Sequence, residues 1–152
     1  MARTTAKHTV RPVSRPTSEM LERWLRYELR LSDGSRPERL LEHAPIVHVM
    51  SATNPGGHPA TRRANAAADA RFVRMARRHR LGLVACTGYD PISSDSEDGW
   101  AVTGLTREGA YAWAAHFGQA AFYEIGPDGP ELLVTDDPAA PRERPMHLQL
   151  VR

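Results

Sequence analysis

The chain of 152 residues contains a single cysteine, Cys86. A lone thiol closes no internal disulfide and builds no cysteine-based zinc cage, so the fold is expected to stand on packing alone. Lysine is equally scarce: Lys7 is the only one, and arginine supplies the rest of the positive charge. Long apolar runs are missing, because charges or prolines interrupt every hydrophobic stretch before the roughly 18 residues of a membrane span. The basic N-terminal residues lack the apolar segment of a secretory signal behind them, and a cytoplasmic location without membrane contact is the expectation. The seven histidines show no close ligand spacing such as His-Glu-x-x-His, so no metal site is expected.

What is present reads as a folded domain. A hydrophobic content of 41% with 25% charged residues argues against wholesale disorder. The length suits one core. Residues 1–17 are rich in Thr, Arg, Pro and Ser without apolar periodicity; they are expected to form a disordered basic tail ahead of a single α+β domain spanning 18–152. The tail segment holds Arg3, Lys7, Arg11 and Arg15 and no acid, so the formal charge of +2 becomes −2 without it. The pI near 9.0 therefore says little about the folded part.

Periodicity sets the expected elements. Ser18 is placed as the N-cap of a short helix with Met20, Leu21, Trp24 and Leu25 on one face. Alternation over 27–31 predicts a half-buried strand, and the β-branched run 45–52 a strand buried on both faces. Ala64, Ala68, Phe72 and Met75 predict a long helix over 60–80. Strands follow at 81–87 and 100–105, separated by a twelve-residue loop over 88–99. Thr106 caps a helix that ends at Gly118, which suits a left-handed position. Strands at 120–125 and 131–135 flank a Gly-Pro-Asp-Gly turn, and 146–151 adds a last strand. The middle reads β-α-β-β-α-β, the order of a ferredoxin-like sandwich, with an extra N-terminal helix and strand and extra C-terminal strands. A Rossmann-like three-layer α/β sheet is the alternative.

Four segments carry candidate chemistry. The turn Ser51-Ala52-Thr53-Asn54-Pro55-Gly56-Gly57 leads from a strand to a helix, a form that offers backbone N–H groups to an anion; the same residues also make a plain capped turn. It lacks the P-loop and Gly-x-Gly-x-x-Gly fingerprints. The segment 88–99 gathers four carboxylates and three hydroxyls, among which Asp90 and Glu97 are the candidate catalytic acids or bases; its spacing is not that of an EF-hand. Asn65 and Gln119 are amides beside apolar helix faces, able to bind a ligand or bridge main chain. The helix over 61–80 carries seven arginines against Asp69 alone, an electrostatic attraction for phosphate backbones or for an acidic partner. Cys86, inside an apolar strand, is expected to be an inert core thiol.

With Ser51-Ala52-Thr53-Asn54-Pro55, Asn65, Gly88 and Phe117-Gly118-Gln119, the chain resembles a bacterial family known as domain of unknown function 3293, over about 27–134. The resemblance implies a domain definition and a set of polar positions, with Glu97 or Asp98 filling the family's acidic place; it implies no mechanism and no cofactor. Three functions compete. The first is a small-ligand-binding or catalytic domain for a polar, phosphate-bearing or nucleotide-like ligand, with Ser51, Thr53, Asn54, Asn65 and Gln119 binding and Asp90 and Glu97 catalytic. The second is a protein-interaction or inhibitor module using the arginine helix and the acidic loop. The third is nonspecific nucleic-acid binding, indicated by charge alone.

Overall fold

The structure, a computed structural model, describes residues 15–136. The expected strand over 146–151 and most of the expected tail lie outside the described residues. Eleven elements follow in order: α1 (Ser18–Arg26), β1 (Glu28–Leu31), a 3-10 turn (Pro37–Glu42), β2 (Val47–Met50), a second 3-10 turn (Pro55–Gly57), α2 (Arg62–Arg78), β3 (Gly82–Tyr89), β4 (Ser96–Thr103), α3 (Arg107–His116), β5 (Ala121–Gly126) and β6 (Gly129–Val134). No helix among the described residues is long and apolar enough to cross a membrane.

The strands form one sheet in the order β1-β3-β4-β2-β5-β6, with every pairing antiparallel. The fold is therefore α+β, and the Rossmann-like alternative, which is built on parallel strands, does not hold. The physical reason is the direct β3–β4 hairpin: a connection too short for a crossover helix forces antiparallel pairing.

Strand alternation splits the core in two. On one face Met50, Val102 and Phe122 pack under α2 and α3, which contribute Phe72, Ala76, Trp113 and Phe117. Phe72 stands 5.6 Å from Trp113 and 5.0 Å from Phe117 by ring centroids, contacts worth roughly 0.5–1.5 kcal/mol each beyond the area they bury. On the other face Val47, Val49, Ala101, Cys86 and Ile125 meet Leu40 and Leu41 of the first 3-10 turn. The Trp24 end of α1 covers the rest of that face, where Tyr123 Oη donates to the Trp24 carbonyl at 2.5 Å.

Several boundaries differ from expectation. The cap of α1 is Thr17, one residue before Ser18: its hydroxyl accepts from Met20 N at 3.2 Å. Leu25 lies off the buried face and is 69% exposed. Thr106 caps α3 as expected, and Gly118 takes φ 67° after it. The largest correction concerns the twelve-residue loop over 88–99. β3 runs on to Tyr89 and β4 begins at Ser96, so only 90–95 connect them. Ser96, Glu97 and Asp98 are poor strand formers by propensity; register with Tyr89, Gly88 and Thr87 holds them in the ladder, including a bond from Thr87 Oγ1 to Asp98 Oδ1 at 2.9 Å.

Candidate functional site

The antiparallel order brings one end of the sheet together from distant segments. β2 ends there, α2 starts there, α3 returns there, and the β3–β4 hairpin turns there. Opposed directions of helix start and helix end would separate Gln119 from Asn54. Because β5 runs antiparallel beside β2, its first residues instead lie next to the last residues of β2, and Gln119 Nε2 donates to the Thr53 carbonyl at 3.0 Å.

The 51–57 turn spends most of its polar groups within the protein. Thr53 N donates to Ser51 Oγ, Asn54 N to Asn65 Oδ1, Gly56 N to the Gly118 carbonyl, Gly57 N to the Asn54 carbonyl, and Ala60 N to Asn54 Oδ1. Asn65 Nδ2 returns to Asn54 Oδ1 at 2.9 Å, closing a reciprocal clamp between the turn and α2. Asn54 holds φ 48°, the left-handed conformation that asparagine tolerates better than most residues. The N–H groups of Thr53, Asn54, Gly56 and Gly57 are thus spent within the protein and do not point at a ligand. Thr53 Oγ1 and Ser51 Oγ bond each other at 2.8 Å.

Asp90 is likewise occupied. Its side chain is fully buried and accepts from Arg26 Nη2 at 2.8 Å, Arg26 Nε at 3.3 Å, Ile92 N at 3.0 Å and Ser93 Oγ at 2.8 Å. The Arg26 guanidinium foremost, with the Ile92 and Ser93 donors, holds its carboxyl well below the usual carboxylate range. Such a group takes up no proton in ordinary conditions; its geometry ties α1 to the hairpin tip, a second tie being Arg23 to Asp95 at 3.4 Å.

Glu97 differs in each respect. It sits on β4 opposite Gly88 and on the same side of the strand as Gly99 and Ala101. It is half-buried, makes no side-chain hydrogen bond among the described residues, and has its carboxyl pushed up by burial and by neighbouring Asp98, against Arg23. Glu97 lines a cavity of about 60 Å³ between α1 and the sheet, together with Trp24, Tyr27, Tyr123, Asn54 and Gln119. Two glycines open it. A Cβ on Gly99 would stand 2.6 Å from the Met50 carbonyl oxygen, and one on Gly88 2.7 Å from the Tyr27 ring. Cys86 lines the same space, but burial pushes its thiol up to about 11, leaving it protonated and unreactive.

Of the expected site residues, Ser51, Asn54, Glu97 and Gln119 line this cavity. Thr53 and Asn65 line a separate, shallower hollow with Arg62 and Asp69, on the α2 side. Asp90 lines neither. Among the described residues, no three His, Cys, Asp or Glu side chains gather as a metal site.

Sequence reasoning missed two things. The aromatic roof of the cavity comes from Trp24 of α1, Tyr27 just after it and Tyr123 of β5, which read as core positions. A buried cluster was also invisible: His48 Nε2 bonds Glu124 Oε2 at 3.0 Å, and Glu124 is held from its other side by Arg107, whose Nε lies 2.9 Å from Oε1. His48 is fully buried, and its Nδ1 has no partner. The three are spread over three elements with no shared motif.

A family model described as "Protein of unknown function (DUF3293)" matches residues 50–122. This bears out the resemblance over a shorter segment than 27–134, running from the end of β2 to the start of β5 and containing the 51–55 turn, Asn65, Gly88, Glu97 and Gln119. Comparison with curated proteins and with solved structures gives no match.

Proposed function

We propose that the domain binds the positively charged head group of a small polar molecule, an amine or a guanidinium, in the cavity beneath α1. The observation that carries this reading is the lining itself: the carboxylate of Glu97 and the rings of Trp24, Tyr27 and Tyr123, with no lysine or arginine among the described lining residues. Carboxylate plus aromatic faces is the chemistry that recognises organic cations. Two unspent amide atoms add orientation. Asn54 Oδ1 and Gln119 Nε2 are taken by main-chain partners, so their assignments are fixed by backbone groups; Asn54 Nδ2 and Gln119 Oε1 make no bond among the described residues. A volume near 60 Å³ holds a few waters or a head group. The phosphate-bearing ligand expected from the turn is therefore set aside in favour of a cation.

Glu97 is the lining group suited to hold or move a proton, since its carboxyl is raised and unbonded. The fold reading that accompanies this is ferredoxin-like: the inner strands β3-β4-β2-β5, with α2 and α3 on one face, follow the β-α-β-β-α-β path, and β1 and β6 extend the two edges.

The test is a thermal-shift screen of aliphatic amines and guanidinium compounds against nucleotides and inorganic phosphate. A binding amine at a hundred times its Kd should stabilise the fold by about 2.7 kcal/mol. Glu97→Gln should weaken it by about 10-fold or more, the worth of one charge-assisted hydrogen bond. Binding should also weaken as the pH falls through the raised pKa of Glu97, because only the carboxylate attracts the cation. Stabilisation by phosphate compounds that Glu97→Gln leaves unchanged would refute the proposal.

A further inference from the structure

The acidic hairpin carries charge that could offset the arginines of α2. It pairs instead with α1, through Arg26 to Asp90 and Arg23 to Asp95. Arg62, Arg63, Arg71, Arg74, Arg77 and Arg78 of α2 are all exposed, and none takes part in an ion pair among the described residues. Asp69, the one acid of the helix, is bonded by Trp100 Nε1 at 2.8 Å. The positive charge of this helix is thus uncompensated, on a domain that is otherwise acidic.

We infer that the outer face of α2 docks in the major groove of duplex DNA, its arginines contacting phosphates on both walls. Three observations lead there. At 3.6 residues per turn, the arginines from Arg62 to Arg71 sweep about 180° of the helix circumference. A flat acidic protein surface would reach only the middle of that arc, whereas a groove walled by phosphates reaches both of its edges. The other exposed positions between them are Ala64, Ala66, Ala67 and Ala70. These keep the helix slim enough for a groove about 12 Å wide. Finally, the helix's one aromatic, Phe72, is fully buried, so the outer face presents no ring to stack on an unpaired base and suits a duplex rather than a single strand. The deep, narrow major groove of duplex RNA would not admit the helix.

The experiment is fluorescence anisotropy of the full chain with a mixed-sequence DNA duplex, titrated across salt. Wild-type affinity should fall steeply with salt, by about 0.9 in logarithmic slope for each phosphate neutralised. The variant Arg71→Gln/Arg74→Gln/Arg77→Gln/Arg78→Gln should lose at least about 10-fold in affinity and about 3 to 4 in slope. The matching lysine variant should keep most of both. Should the fourfold glutamine variant not fold by circular dichroism, Arg74→Gln/Arg78→Gln serves, with about half the change in slope. Neutralising Arg3, Lys7, Arg11 and Arg15 should cost less than the fourfold change. The inference is overturned by a wild type that ignores DNA at low salt, by glutamine variants that bind like wild type, by tighter binding to duplex RNA, or by poly-glutamate outcompeting DNA. None of these outcomes bears on the cavity beneath α1.

Discussion

Glu124→Ala should destabilise the fold by about 2–4 kcal/mol in urea unfolding. Its carboxylate is buried and accepts from both His48 and Arg107. Removing one partner of a buried charged network is costly, about 3–5 kcal/mol when the remaining charge is trapped. Here Arg107 is half exposed and rehydrates, so the larger part of the loss comes from His48, whose ring is left fully buried with neither nitrogen bonded. Glu124→Gln should cost less, because a carbonyl oxygen still accepts from Nε2.

The same cluster fixes a pH dependence. Burial holds His48 below its ordinary 6.5, outweighing the pull of Glu124. The unfolded chain therefore takes up a proton that the folded ring refuses. Stability from this site is complete above about pH 6.5 and is lost as the pH falls below it. Glu124, lowered from 4.5 chiefly because Arg107 and His48 outweigh its burial, adds a second loss at more acid pH. His48→Phe should flatten the first step and leave the second. A wild-type stability that stayed level from pH 7 to pH 5 would contradict this account.

Asp90→Asn should lower the melting temperature by several degrees and expose α1 to protease. The substitution keeps the carbonyl that accepts from Ile92 N but gives up the charge that holds Arg26. Since α1 and the Tyr27 that ends it supply two walls of the cavity, Trp24 and Tyr27, amine-induced thermal shift should fall in the same variant although Asp90 does not line that cavity. Arg26→Ala should reproduce both effects. Unchanged melting with intact ligand response would mean that the ion pair does not position α1.

The contrast between what the residues foretold and what they hid has a physical basis. The stripe of Ala68, Phe72 and Met75 and the Thr106 and Gly118 ends of α3 are decided by neighbours within one or two turns, so local pattern finds them. The hairpin at 88–99 is decided by partners across a ladder. Ser96 to Gly99 extend because Cys86 to Tyr89 lie opposite, and composition alone reads the segment as a loop. The candidate cavity was half legible. Ser51, Asn54, Glu97 and Gln119 could be picked as polar residues, and the resemblance joined them. That Asp90 would be consumed by Arg26, and that Gly88 and Gly99 would leave the space, depended on register. Gln119 turned on geometry that only the full strand order settles.

That strand order also has a consequence for how the chain comes off the ribosome. β2 sits in the middle of the sheet, yet no neighbour in sequence pairs with it; Val49 meets Ala101 on one side and Tyr123 on the other, both far downstream. The β3–β4 and β5–β6 hairpins can close within microseconds of synthesis. The apolar run around Val47–Met50 must wait several seconds at about 5–20 residues per second before either partner exists. The centre of the sheet therefore stays unpaired until β4 has been made, and over that interval its apolar run is exposed to chaperones or to other chains.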